Sequence, residues 1–422
     1  MSEWKCYKLN EISSLSNGIN FDKSAYTSGV KLIGVSDFKN RIHPDYDSLQ
    51  EVDSKVVKSG DYLEQGDIVF VRSNGNKELV GRCMMIDRDI PVTYSGFCIK
   101  LRLKDKKRFE PVFFNYLFRT RQFKNSMTGT AVGANIQNLS QSRLGNCEVK
   151  VPNIETQHRI ATILSRYDSL IENYQKQIKL LEEAAQRLYK EWFVDLHFPG
   201  HENTKIVDGV PEGWEKKKLG SIIDYEIGGG WGDETKVTPD YVTAYVIRGT
   251  DMNNLENGSL QGIPLRYHQF NNFNARQLQE YDIVFEVSGG SKTEGVAKTF
   301  LILDQFLSQL DYPVICASFC KLIRLKDKKN ACYVYDTLKE WRSSGITSQY
   351  DKRSASSIVN YRWKDFLSQQ EIFVPSENVL SQYTNLSKKN HIMRSELASQ
   401  IRILTEARDR LLPKLMSGEI AV

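Results

Sequence analysis

IATILSRYDSLIENYQKQIKLLEEAAQRLYKEW, residues 160–192, decides the architecture. Its apolar residues fall at Ile160, Leu164, Tyr167, Ile171, Tyr174, Ile178, Leu181, Ala185, Leu188 and Trp192, in steps that alternate four and three without a break. That is a heptad seam of period 3.5, held over more than four heptads. Glu, Lys, Gln and Arg fill the positions between. A lone helix on a globular core drifts towards a period of 3.6, so the strict repeat predicts a helical partner and a coiled coil. At 1.5 Å per residue the seam spans roughly 48 Å.

The partner lies in the same chain, because the chain repeats itself. RLKDKK stands at residues 102–107 and again at 324–329. DIVF stands at 67–70 and 282–285, Trp4 with Leu9 is echoed by Trp214 with Leu219, and RLYKEWF at 187–193 meets RLLPKLM at 410–416. The offsets are 210, 215, 222 and 223, and they only rise along the chain, as insertions in a second copy produce. The chain is a tandem duplication of a unit of about 200 residues, long enough for a domain with its own core plus one further element.

The offset of 223 carries the seam onto the second copy. Ile163 maps to Leu386, Leu170 to Met393, Tyr174 to Leu397, Leu181 to Leu404 and Leu188 to Leu411. This predicts a second long helix from about Ser376 to Leu412, stopped by Pro413, with its seam through Leu386, Met393, Leu397, Leu404 and Leu411. Asn390 and Arg408 interrupt it as polar residues. Two helices that each close one copy of a repeat pack antiparallel if the copies are related by a two-fold axis.

Ahead of each helix stands mixed strand and helix chemistry. LIGVSDF, DIVFVR, RCMMID and FCIKLRL read as strands, and PVFFNYLFRTRQFKNSM as a helix with a first-turn proline. YVIRGT, DIVFEV, FLILD, FCKLIRL and YVYDTLKEW repeat that order. The expected fold class is α+β: two tandem domains, 1–152 and 201–374, alternating with long helices, 153–200 and 375–422, that form a pseudo-two-fold antiparallel coiled coil.

The net charge of +5 conceals an asymmetry. Residues 1–150 carry 23 Lys/Arg against 17 Asp/Glu, a balance of +6; residues 201–375 carry 21 against 23, a balance of −2. The first copy suits a polyanion, and the second needs a local patch to do so. Seven cysteines without a C-x-x-C pair argue for reduced thiols and against a zinc site. No signal segment or membrane-length apolar run is present, so a cytoplasmic location is expected.

No motif supports catalysis, a metal or a cofactor. GGSKT at 289–293 lacks the upstream glycine of a phosphate loop, and GGGWG at 228–232 lacks the helix and acidic residue of a dinucleotide site. His158, His197 and His268 read as surface or helix-end residues. Trp192, Phe193 and Phe198 put apolar surface near a helix end, where a partner would cover it.

Together these parts resemble the specificity subunit of Type I restriction–modification enzymes. The carriers are the W-x-x-x-x-L openings, GDIVF with its Gly loop at 66–81, YDIVF at 281–285 and ANIQNLS at 134–140. VPNIETQHRIATIL at 151–164 and LLPKLMSGEI at 411–420 complete them. Where the family has adjacent Glu and Gln at the helix start, Thr156 separates Glu155 from Gln157, and VPSENVLSQY at 374–383 departs further.

The resemblance implies that each α+β domain is a target recognition domain reading one half of a bipartite site in double-stranded DNA. It implies that the helices act as a ruler and dock DNA methyltransferase (modification) subunits. It further implies that restriction (motor–nuclease) subunits join and that the chain itself is no enzyme and needs no cofactor. The residues alone leave a second reading, a scaffold with two interaction domains on a stalk, which steep salt dependence of DNA binding would exclude.

The candidate DNA contacts are the loops after DIVF: Arg72, Ser73, Asn74, Asn76 and Lys77 in one copy, and Ser288, Ser291, Lys292 and Thr293 in the other. Glycine lets the backbone approach phosphate, lysine neutralises it, and Ser and Asn donate to phosphates or base edges. A second set lies in TGTAVGANIQN at 128–138 and TSQYDKRSAS at 347–356: Thr130, Asn135 and Gln137, then Tyr350, Lys352 and Arg353. RLKDKK itself reads as a solvated turn with long-range attraction for DNA.

Overall fold

The IVF of each DIVF forms a central strand because all three side chains are buried: Ile68, Val69 and Phe70, and Ile283, Val284 and Phe285, are each 0% exposed. The computed structural model describes residues 4–38, 41–73, 79–128, 138–289, 295–353 and 358–422. The chain divides into two compact units, Met1–Ser169 with Glu406–Val422, and Leu170–Thr405.

In the first unit a four-stranded antiparallel sheet runs Ser13–Asn17, Cys98–Leu103, Ile68–Val71, Cys83–Met85. A three-stranded sheet sets Tyr26–Ile33 between antiparallel Gln50–Val52 and parallel Val92–Tyr94. Lys5–Lys8 pairs with Glu148–Val151, so the two ends of the domain meet just before the first long helix, Ile154–Tyr189. The second unit repeats every pairing. Its four-stranded sheet runs Ile223–Gly228, Cys320–Leu325, Ile283–Glu286, Thr299–Leu301. Its three-stranded sheet sets Val242–Ile247 between antiparallel Leu265–His268 and parallel Val314–Cys316, and Glu215–Lys218 pairs with Glu371–Val374. The α+β duplication read from the sequence is present in each of these pairings, and the second unit adds a further sheet of Ser288–Gly289, Val359–Tyr361 and Asp351–Arg353.

The two repeated motifs turn out to be one interaction. Arg102 of RLKDKK donates from Nε and Nη2 to the two carboxylate oxygens of Asp67, both at 2.7 Å, and Arg324 meets Asp282 at 2.8 and 2.7 Å. Both aspartates are 0% exposed and also accept backbone N–H groups, from Glu64 and Gln279. A bidentate fork on a buried carboxylate is a structural clamp. RLKDKK is therefore corrected from a solvated turn: its arginine locks adjacent strands of the sheet, and only its lysine end is exposed.

The second long helix runs Glu377–Ser417 and passes through Pro413 instead of stopping there. A proline removes one helical N–H, while Leu415 and Met416 beyond it are buried at 1% and 7% in the core that holds Ile160 and Leu164. Within the second unit the helices are antiparallel: Ile171 and Ile178 cluster with Ala398 and Ile401, and Asn390 donates to the Leu181 carbonyl at 2.9 Å. In the first unit Asp168 pairs with Arg408, while Ile160 and Leu164 share a core with Leu411 and Leu415.

The seam needs one correction. Ile160, Leu164, Ile171 and Ile178 are buried, and Tyr167, Tyr174, Leu181, Leu188, Leu397, Leu404 and Leu411 half-buried. Leu386 and Met393, however, are 48% and 50% exposed. Ser387, His391 and Arg394 are buried in their place. The offset of 223 does carry burial: Ile160 with Tyr383, Leu164 with Ser387, Asp168 with His391, Ile171 with Arg394 and Ile178 with Ile401 are all buried pairs. What it does not carry is hydrophobicity, and choosing apolar partners selected the neighbouring face. Trp192, Phe193 and Phe198 also need no outside cover, because they are buried with Trp214, Tyr333 and Tyr383 in the second unit's own core. His268 is likewise an interior strand residue, 5% exposed, where burial pushes its imidazole below its ordinary value.

Candidate nucleic-acid interface

The strand that begins with DIVF ends at a surface built the same way in both units. A turn at residues 95–98, closed by Cys98 N–H to Ser95 O at 2.9 Å, presents the Phe97 carbonyl to Arg72 N–H at 2.8 Å and Ser73 N–H at 3.3 Å. The turn at 317–320, closed at 2.8 Å, presents the Phe319 carbonyl to Val287 and Ser288 at 2.9 and 3.2 Å. On the other side, Leu139 N–H donates to Arg72 O at 2.7 Å, and Tyr361 N–H to Val287 O at 2.9 Å. These bonds set Ser73 opposite Asn138, and Ser288 opposite Asn360.

Under each turn the backbone crosses too closely for a side chain. A Cβ on Gly18 would lie 2.2 Å from the Tyr94 carbonyl oxygen, and one on Gly229 2.2 Å from the Cys316 and Ala317 carbonyl oxygens. The GGGWG run is thus a packing device, at least at Gly229. Cys98 and Cys320, which close the turns, are buried, and desolvation pushes their thiols up, Cys98 to about 12, which favours the protonated, unreactive thiol at both. All seven cysteines are free, and among the described residues no helix is long and apolar enough to cross a membrane.

The residues singled out from the sequence fare differently. Arg72 is half-buried, with Nη1 3.4 Å from the Gly96 carbonyl oxygen, and Ser73 is half-exposed beside Asn138. Ser288 Oγ donates to Asn360 Oδ1 at 2.9 Å. Lys352 is exposed on Asp351–Arg353, which pairs with Val359–Tyr361, so that Ser288, Asn360 and Lys352 form one cross-strand row. Arg353 stands opposite Val359, in the next row. Tyr350 is removed from this surface: it is 7% exposed, its ring packs 5.1 Å from Phe366, and its hydroxyl meets Gln370 at 3.3 Å. Asn74, Asn76, Lys77, Thr130, Asn135, Gln137, Ser291, Lys292 and Thr293 lie outside the described residues. Asn138 and Asn360 were missed, because nothing in the local sequence shows that either stands beside a serine far away in the chain.

Known proteins of one kind are similar to this chain. Residues 1–183 match the family described as the Type I restriction modification DNA specificity domain. The MjaIX specificity subunit of Methanocaldococcus jannaschii is 28% identical over 322 residues, covering 74% of this chain and 69% of that one. The MjaVIII specificity subunit of the same organism is 31% identical over 135 residues, 32% of this chain and 31% of the relative. A crystal structure of the Type I restriction–modification S subunit from M. genitalium superposes with a TM-score of 0.60 at 15% identity, over 98% of this chain and 96% of that one, and so shares the fold. The chain is therefore similar to specificity subunits of Type I restriction enzymes, and its residues 1–183 match the family of their DNA specificity domain.

Proposed function

We propose that this chain is the sequence-specific DNA-binding subunit of a Type I restriction–modification system. Each domain, 1–152 and 201–374, reads one half of a bipartite site, and the helices at 153–200 and 375–422 set the gap between the halves. The observation that carries this is the surface built twice: a strand end, a clamped turn and a Ser–Asn pair, the same in both domains. A surface repeated with its hydrogen bonds but with different neighbours suits two readers of different half-sites. A scaffold would need no such duplication of donors.

The helices also support docking of the methyltransferase subunits, with a restriction subunit completing the system. Leu170 and Met393, and Leu180 and Ile403, are related by the offset of 223, and all four are between 43% and 64% exposed. Equivalent exposed apolar positions on both helices fit one methyltransferase contact per copy. The chain supplies specificity and leaves chemistry to these partners.

The test is a selection from random DNA. Seven residues inserted after Ser169 and seven after Thr405 leave each compact unit intact and keep the helical faces in phase. Each helix lengthens by about 10.5 Å, on the order of three base pairs at ~3.4 Å per base pair. The two half-sites keep their bases while the gap changes, or binding is lost because three base pairs also rotate the second half-site by roughly 100°. Altered bases with an unaltered gap would sink the ruler. Lys77→Ala and Lys292→Ala each weaken binding to all sequences and flatten the salt slope by about one unit.

A further inference from the structure

An exposed phenylalanine recurs at the same place in both domains. Phe97 and Phe319 are related by the offset of the RLKDKK repeat and are 61% and 60% exposed. Each is the third residue of its turn, and each has its carbonyl clamped by two consecutive backbone N–H groups at the end of the DIVF strand. Neither belongs to a hydrophobic core cluster, although the residues that follow, Cys98 and Cys320, are 0% exposed. A single exposed aromatic is ordinary. Two at equivalent positions, on a backbone anchored in the same way, are a built feature. The neighbours name the occupant: Ser73, Asn138 and Arg72 beside one, Ser288, Asn360 and the row ending at Lys352 beside the other. Hydroxyl, amide and cation are the donors that duplex DNA accepts at base edges and phosphates.

We infer that Phe97 and Phe319 are specificity-determining residues that each contact the 5-methyl group of a thymine in the major groove, one in each half-site. This rests on the DNA-reading function proposed above. A phenyl ring cannot donate or accept a conventional hydrogen bond. The thymine methyl is the one apolar group that an intact base pair displays in the major groove. The ring stands on a turn whose backbone bonds fix where its side chain leaves the chain, so it discriminates by position.

The experiment uses the chain assembled with its own methyltransferase subunits. Selection from random DNA first defines the site; failure to obtain a bipartite site overturns the functional reading itself, before the phenylalanines are tested. Each thymine of the site is then replaced in turn by deoxyuridine, which removes the methyl group and nothing else. Wild-type affinity falls about fourfold, the worth of one buried methyl group, at one position in each half-site. In Phe97→Ala the loss disappears from one half-site only, and in Phe319→Ala from the other only. Unchanged affinity at every deoxyuridine position overturns the inference, as does the same deoxyuridine loss in the alanine variants. Deoxyuridine insensitivity combined with DNA bending that Phe97→Ala abolishes also overturns it, by assigning the ring as a wedge between base steps.

Discussion

Phe114 and Asp336 occupy the same place in the two domains, 222 residues apart, where each domain meets the long helices. Phe114 is 0% exposed and packs in the core with Ile160 and Leu164. A polar bond to the long helices starts two residues on, from the Tyr116 hydroxyl to Asp168, whose other oxygen takes Arg408. In the second unit Asp336 is buried too, at 7% exposure, and accepts from the Tyr383 hydroxyl at 2.8 Å and the Ser387 hydroxyl at 2.5 Å, with His391 Nε2 2.8 Å from its other oxygen. Tyr383 and Ser387 are the positions of Ile160 and Leu164. The duplication has kept the geometry and exchanged the chemistry. That exchange is tolerable only because the carboxylate's neighbours are all directed at it, since a half-satisfied buried network is worse than an apolar one.

The largest expected effects come from breaking the polar site. Asp336→Ala removes the acceptor of three buried groups at once, and a loss of about 4 kcal/mol is expected in the unfolding of the second unit, read by denaturant titration. Phe114→Ala costs a similar amount, about 3–5 kcal/mol, through cavity formation, but the two differ in pH response. Burial pushes the Asp336 carboxyl up, and His391 with the Ser387 and Tyr383 hydroxyls more than offsets this, so it sits below its ordinary value. A depressed carboxylate contributes stability above its unfolded value, about 3.9, and loses it as pH falls through the folded value. Wild-type protein should therefore lose second-unit stability below about pH 4 more steeply than Asp336→Ala does. Parallel acid titrations would refute the assignment of Asp336.

Arg102→Ala and Arg324→Ala come next. Each strands a fully buried aspartate, at about 3 kcal/mol, and because the clamps are alike the two losses should agree to within about 1 kcal/mol. A large disparity in thermal melts would show that the duplication is not energetically symmetric even where its geometry is. The smallest effect belongs to Asn390, whose amide caps the Leu181 carbonyl across the helix pair. Asn390→Ala is expected to cost about 1 kcal/mol, and Asn390→Leu less, with helix register monitored by cross-linking.

Much of the candidate site was legible in part. Ser73 and Ser288 could be found because DIVF marks the strand that ends at them. Their partners Asn138 and Asn360 could not, because pairing between strands far apart in sequence leaves no local pattern. Phe97 and Phe319 were visible as letters in the repeated strand, but an aromatic before a buried cysteine reads as core until the turn is seen to expose it. Tyr350 shows the opposite error: a residue typed for base contact is held in the interior by the rings of Phe366 and Tyr361.

Repetition and periodicity are properties of the chain itself. From them alone followed the tandem copies, the α+β class and two long antiparallel helices, because a heptad seam demands a partner and the offset located it. The face that the second helix buries was decided only in three dimensions. So were the joining of DIVF to RLKDKK through an Asp–Arg fork and the helix running through Pro413. Each depends on whether a buried group finds its partner among residues distant in sequence: Ser387 and His391 are interior because Asp336 is there to receive them, and Leu386 and Met393 face out for the same reason.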